Sequence, residues 1–150
     1  MAGPVKPIVV DANLMVALVI ALPYSERAAE LVEGWKLGKV PLYAPLLWEY
    51  ELTTALRKVV ALGAFLEEQA PAALEHLLSL GVQCIPPEPT LHREALHWAS
   101  QLGQMAAYDA QYLAVAAHLG ADFWTADRRL AAKAREANLD WVHWVGTAPG

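Results

Sequence analysis

Short apolar runs alternate along this chain with longer stretches of helical periodicity, and that alternation restricts the fold more than any other feature. Ile8-Val9-Val10, Leu42-Tyr43-Ala44, Val82-Gln83-Cys84-Ile85, Asp122-Phe123-Trp124-Thr125 and Trp141-Val142-His143 read as short, mostly buried strands. Helices are predicted near residues 12–22, 24–37, 46–62, 67–80, 89–102, 107–119 and 127–137. Gly38, Gly63, Gly81 and Gly120 fall where those helices should end, as suits residues that tolerate a left-handed backbone. Strand and helix in alternation predict an α/β fold of three layers, with a central, mainly parallel sheet flanked by helices. Right-handed crossovers then bring the C-terminal strand ends to one edge, where open sheets of this kind bind ligands.

Composition narrows the setting. The chain has 150 residues, 56% of them apolar and 18% charged, which is expected to form a single domain over 1–150 with a well-filled core. Its longest apolar run, Leu14 to Leu22, stops at Pro23, far short of the roughly 20 residues a bilayer span needs, so no membrane association is expected. Pro4 and Pro7 interrupt the N-terminus, and no secretory signal is visible. Cys84 is the only cysteine, so an internal disulfide is impossible and a cytoplasmic location is expected. The net charge of −5 argues against general attraction to phosphate. A nucleic-acid role therefore requires that the acids be concentrated at a cation site.

Aspartate is scarce: Asp11, Asp109, Asp122, Asp127 and Asp140 are the whole set. Asp11 follows the first strand directly, and Asp127 comes two residues after the end of the strand at 122–125. Both should project at the same sheet edge. Asp109 lies at the start of an alanine-rich helical segment. Each of the three also suits a helix N-cap, where its carboxylate accepts a backbone N–H bond worth about 1 kcal/mol. Capping leaves unexplained why two of them follow strands expected to be neighbours, and why Thr125 stands two residues before Asp127. A fourth acid is expected from the helix after Pro45. There the apolar stripe Trp48, Leu52, Ala55, Leu56 and Val59 is flanked by Glu49 on one side and Glu51 on the other, and periodicity does not choose between them.

Carboxylates brought together repel, and a hard divalent cation relieves them by accepting oxygen ligands. Mg2+ or Mn2+ in such a site activates water for phosphodiester hydrolysis without any histidine base. The five histidines show no zinc-ligand spacing, and the chain lacks a glycine-rich phosphate loop and a Gly-x-Ser-x-Gly elbow. A haloacid-dehalogenase-like site needs a second aspartate where Asn13 stands, and a strand-end aspartyl phospho-acceptor needs a strand-end lysine partner that is not found. Arg57, Lys58, Arg128, Arg129, Lys133 and Arg135 follow the acid-bearing regions, either as solvated helix faces or as a phosphate-guiding rim.

The segments Ile8-Val9-Val10-Asp11-Ala12-Asn13, Pro45-Leu46-Leu47-Trp48-Glu49-Tyr50-Glu51-Leu52, Tyr108-Asp109-Ala110-Gln111-Tyr112 and Thr125-Ala126-Asp127-Arg128-Arg129-Leu130, in this order and spacing, resemble PIN-domain ribonucleases. The chain looks most like the VapC-like toxin half of VapBC toxin–antitoxin pairs. That resemblance implies an Mg2+- or Mn2+-dependent endoribonuclease acting on single-stranded RNA, usually a homodimer. It implies an acidic quartet of Asp11, Glu51, Asp109 and Asp127, with Asn13 and Thr125 in support. It favours Glu51 over Glu49. It also implies a small antitoxin whose tail covers the cleft and inserts a basic residue. Thr54 departs from the asparagine that many relatives carry three positions after the glutamate. The alternative reading is a catalytically inactive PIN-like protein-interaction module.

Overall fold

The structure, a computed structural model, describes residues 5–104 and 107–146. Its elements in chain order are β1 (Ile8–Val10), α1 (Ala12–Val16), α2 (Ser25–Leu37), β2 (Leu42–Pro45), α3 (Leu47–Ala61), α4 (Gln69–Leu78), β3 (Gln83–Ile85), α5 (Pro89–Gln101), α6 (Tyr108–Leu119), β4 (Asp122–Thr125), α7 (Arg128–Glu136) and β5 (Val142–Trp144). The five strands form one sheet in the order β3-β2-β1-β4-β5, and every pairing is parallel. The α/β architecture expected from the strand–helix alternation is the one observed.

The chain winds outward from β1 through β2 to β3, then returns to lay β4 against the other side of β1. The direction of winding reverses between β1 and β4, and in doubly wound sheets that reversal opens a crevice at the C-terminal strand ends. Central position explains composition here. Ile8, Val9 and Val10 are all buried, as an unbroken apolar strand must be when both faces are covered. In β4 the pattern alternates, with Phe123 and Thr125 buried and Asp122 and Trp124 half-buried.

Helix α6 closes one side of this crevice. Its alanine-rich sequence favours helix intrinsically, and Tyr112 through Ala116 are all buried. Ala110 and Ala114 pack with Ala95 and Ala99 of α5, small side chains that let the two helices approach closely. Tyr112 stacks on Phe123 of β4 with centroids 5.5 Å apart, a contact worth about 1 kcal/mol beyond the area it buries. Gly120 ends α6 in the left-handed region (φ 63°), and its N–H donates to the Ala116 and Ala117 carbonyls.

Two local expectations are corrected. The helix predicted over 12–22 ends at Val16, and residues 17–20 form turns. Pro23 has no N–H to give a helix and disfavours helical backbone at Leu22. The Ser25 hydroxyl instead donates to the Ile20 carbonyl and accepts from the Leu22 N–H, which fixes the loop. Gly38 caps α2 with an ordinary φ of −80°, and the left-handed turn falls on Lys39 (φ 54°).

Candidate functional site

Asp11 and Asp127 reach the crevice for the same local reason: each ends the extended segment after a strand and caps the helix that follows. The Asp11 Oδ1 accepts the Leu14 N–H at 2.7 Å, and the Asp127 Oδ1 accepts the Leu130 N–H at 3.0 Å. The capping role weighed for these two is therefore real and coexists with their convergence, whereas Asp109 does not cap α6, whose N-cap is Ala107. The other Asp11 oxygen accepts two more bonds, from the Thr125 hydroxyl at 2.5 Å and the Ala126 N–H at 3.0 Å. Thr125 is fully buried and accepts the Asp127 N–H at 2.9 Å, so it ties the two strand ends together. Through these bonds Thr125 clamps Asp11.

Glu51 and Asp109 arrive from helices. Glu51, one turn into α3, accepts from the Tyr112 hydroxyl at 2.6 Å. Asp109, in the first turn of α6, accepts from the Gln104 amide at 3.5 Å. Asp11, Asn13, Glu51, Asp109 and Asp127 line one small cavity of about 20 Å3, room for roughly one water-sized group. Glu49 lies elsewhere on α3, exposed and 3.7 Å from the Cys84 sulfur. Of the two glutamates that periodicity left open, Glu51 lines the cavity and Glu49 does not. Tyr112 was missed by sequence reasoning. It stands three residues after Asp109 and so shares its helix face, a signal that the spacing carried.

The electrostatics are those of acids crowded out of water. Burial raises the Asp11 carboxyl to about 6, against three hydrogen bonds that lower it, with Glu51 repulsion adding to the rise. Burial also raises Glu51, opposed by the Tyr112 bond and helped by Asp109. Asp109 is raised by burial first and by Asp127 second, while Lys133 pulls it down.

This arrangement overturns the metal-dependent ribonuclease expected above, together with its Mg2+ or Mn2+. Among the described residues, no three His, Cys, Asp or Glu side chains are placed so that they could hold one metal ion. The physical reason lies in where the lone pairs go. Both oxygens of Asp11 are engaged by N–H and O–H donors, and Asp127 and Glu51 each give one oxygen to a donor of their own. Octahedral Mg2+ demands oxygens held open in near-ideal geometry. Carboxylates arranged as caps and clamps do not fit it.

The basic residues divide. Lys133 acts on Asp109, whereas Arg57 pairs with Glu67 at 3.9 Å and Arg128 lies 5.5 Å over the Trp144 ring. Beside the acidic cavity runs an apolar groove of about 240 Å3, lined by Pro45, Leu47, Tyr50, Ile85, Leu91 and Tyr108 among others. Tyr50 and Tyr108 are 65% and 67% exposed there, unusual for large aromatic side chains.

The PIN domain family matches residues 8–136, most of the chain and all four acid-bearing segments. The chain belongs to the PIN domain family. Among solved structures, this PIN chain is similar to PAE2754 from Pyrobaculum aerophilum, with 28% identity, 93% of this chain and 84% of that one covered, and a TM-score of 0.68. It shares its fold with a chain of a toxin–antitoxin complex from Klebsiella pneumoniae, at 16% identity, 90% and 94% coverage and a TM-score of 0.62. It also shares it with FitAcB from Neisseria gonorrhoeae, at 18% identity, 91% and 95% coverage and a TM-score of 0.57. No match was found among curated proteins. Among the described residues, no helix of the PIN chain is long and apolar enough to cross a membrane.

Proposed function

We propose that this PIN chain is a protein-interaction module that docks a small antitoxin-like protein across the C-terminal edge of its sheet. The observation that carries this reading is the adjacency of the acidic cavity and the apolar groove. Consecutive residues divide between them: Tyr50 lines the groove and Glu51 the cavity, and Tyr108 lines the groove and Asp109 the cavity. A partner segment with an apolar side chain beside a lysine matches both. An ammonium is about water-sized, carries three donors and imposes no fixed coordination geometry, so it suits a cavity that Mg2+ does not. It also relieves the repulsion that raises Asp11, Glu51 and Asp109. The fold relative from Klebsiella pneumoniae belongs to a toxin–antitoxin complex, which supports a partner protein of that kind.

A single-stranded RNA ligand and a second copy of the chain are the other partners implied by the family resemblance. Phosphates brought against these acids in a chain of net charge −5 meet repulsion, which favours the protein partner. The test is co-expression with the product of the adjacent reading frame, with complex formation and stoichiometry read by light scattering. A complex is expected that Tyr108→Asp disrupts without altering the far-UV spectrum of the free chain. Metal-dependent cleavage of single-stranded RNA that disappears in Asp11→Asn would overturn the reading, as would a complex indifferent to both Tyr50→Asp and Tyr108→Asp.

A further inference from the structure

Another cavity lies away from the acidic one. It is a cleft of about 670 Å3 at the β5 edge of the sheet, and it shares no lining residue with the acidic cavity. Its walls combine two guanidiniums, Arg27 of α2 and Arg135 of α7, with the rings of Trp124, His143 and Trp144. Strand register explains the aromatic wall. Trp124 of β4 and His143 of β5 are paired neighbours, and their rings stack at 4.8 Å and 29°. The Arg27 guanidinium lies 6.0 Å from the Trp124 centroid.

The charge of this cleft runs against that of the whole chain. Arg27 and Arg135 contribute two positive charges and Asp140 one negative, in a molecule whose net charge is −5. Arg27 is half-buried and its nearest carboxylate, Glu30, is 4.0 Å away. Its Nε is buried with no hydrogen-bond partner among the described residues, leaving a donor that wants an acceptor. His143 is held by Asp122 at 3.2 Å, and Asp122 is itself paired with Lys6 at 2.7 Å, so the imidazole is fixed in place.

We infer that this cleft binds a nucleotide, with the phosphate taken by Arg27 and Arg135 and the base by the aromatic wall. The volume suits a ligand of that size. Guanidiniums favour phosphate because their planar forks match its oxygens, and indole and imidazole faces stack on any base. Asp140 opposes a second phosphate near it and offers an acceptor to ribose hydroxyls or base amino groups. The ligand chemistry is the same for a free mononucleotide and for the phosphorylated end of an RNA strand.

The test is titration of the full chain with each of the four ribonucleoside 5′-monophosphates, followed by calorimetry and tryptophan fluorescence, since Trp124 and Trp144 line the cleft. Binding with quenching is expected for at least one monophosphate. Its nucleoside and inorganic phosphate should each bind at least about tenfold more weakly. Arg135 is exposed, so Arg135→Glu should abolish binding with the melting temperature unchanged, and Arg27→Gln should weaken it. A 5′-phosphorylated oligoribonucleotide that binds more tightly than the monophosphate would assign the cleft to strand ends, and equal or weaker binding would assign it to the free nucleotide. No heat and no quenching with any of the four at about 5 mM, or binding that Arg135→Glu leaves intact, would overturn the inference.

Discussion

Replacing Asp11 with asparagine should flatten the acid side of the stability profile. In the folded chain burial lifts this carboxyl from 3.8 to about 6, so the native state holds its proton more tightly than the unfolded chain does. The stabilisation linked to that proton is fully present below pH 3.8 and is lost as pH rises through about 6. The distance between the two values corresponds to roughly 3 kcal/mol. Asp11→Asn removes the titration. It also sets an amide N–H2 against the Ala126 N–H, a mismatch costing about 1–3 kcal/mol that does not vary with pH. Urea unfolding of both proteins from about pH 3.5 to about pH 7.5 isolates the effect, because titrations common to both cancel in the difference. The wild-type advantage should fall by roughly 3 kcal/mol as pH rises across this window. A difference that stays flat, or that grows with pH, would refute the assignment of a buried, proton-holding carboxyl to Asp11.

Tyr112→Phe removes the donor at 2.6 Å from Glu51 and should cost about 1.5–3 kcal/mol, with the Glu51 titration by NMR moving further up; unchanged stability and titration would contradict the pairing. Asp127→Ala removes the α7 cap and should cost about 1 kcal/mol in denaturant unfolding, whereas Asp127→Asn should retain most of it. Equal losses in the two variants would count against a capping role. Millimolar Mg2+ or Mn2+ should leave the melting temperature where it is. A rise equivalent to about 2.7 kcal/mol at a hundredfold excess over Kd would restore the metal centre that the present geometry rejects.

The acidic cavity shows how a legible motif can mislead about chemistry. Asp11 and Asp127 were readable as strand-end acids because a parallel sheet brings such positions to one edge whatever the residues are. Their hydrogen bonds were not readable. Whether a carboxylate keeps its lone pairs for an ion depends on donors from distant residues, here Thr125 for Asp11 and Tyr112 for Glu51. The resemblance favoured Glu51, which lines the cavity, and implied a metal ion that the carboxylate geometry does not fit. The nucleotide cleft was invisible for a similar reason. Arg27 and Arg135 stand more than a hundred residues apart, and only the placement of α2 and α7 around β4 and β5 brings them to one cleft.

Local patterns by themselves determined the elements. The apolar triplet at 8–10, the alanine-rich helix from Tyr108 and the left-handed turn at Gly120 follow from side-chain burial and backbone sterics acting over a few residues. The same local rules determined that the strands run parallel, because a helix between two strands returns the chain to the starting edge. Tertiary structure alone decided that Glu49 turns away while Glu51 lines the cavity, and that Asp11 and Glu51 are held by the hydroxyls of Thr125 and Tyr112. Those outcomes depend on the distance and direction of groups far apart in the chain, and no spacing within one segment encodes them.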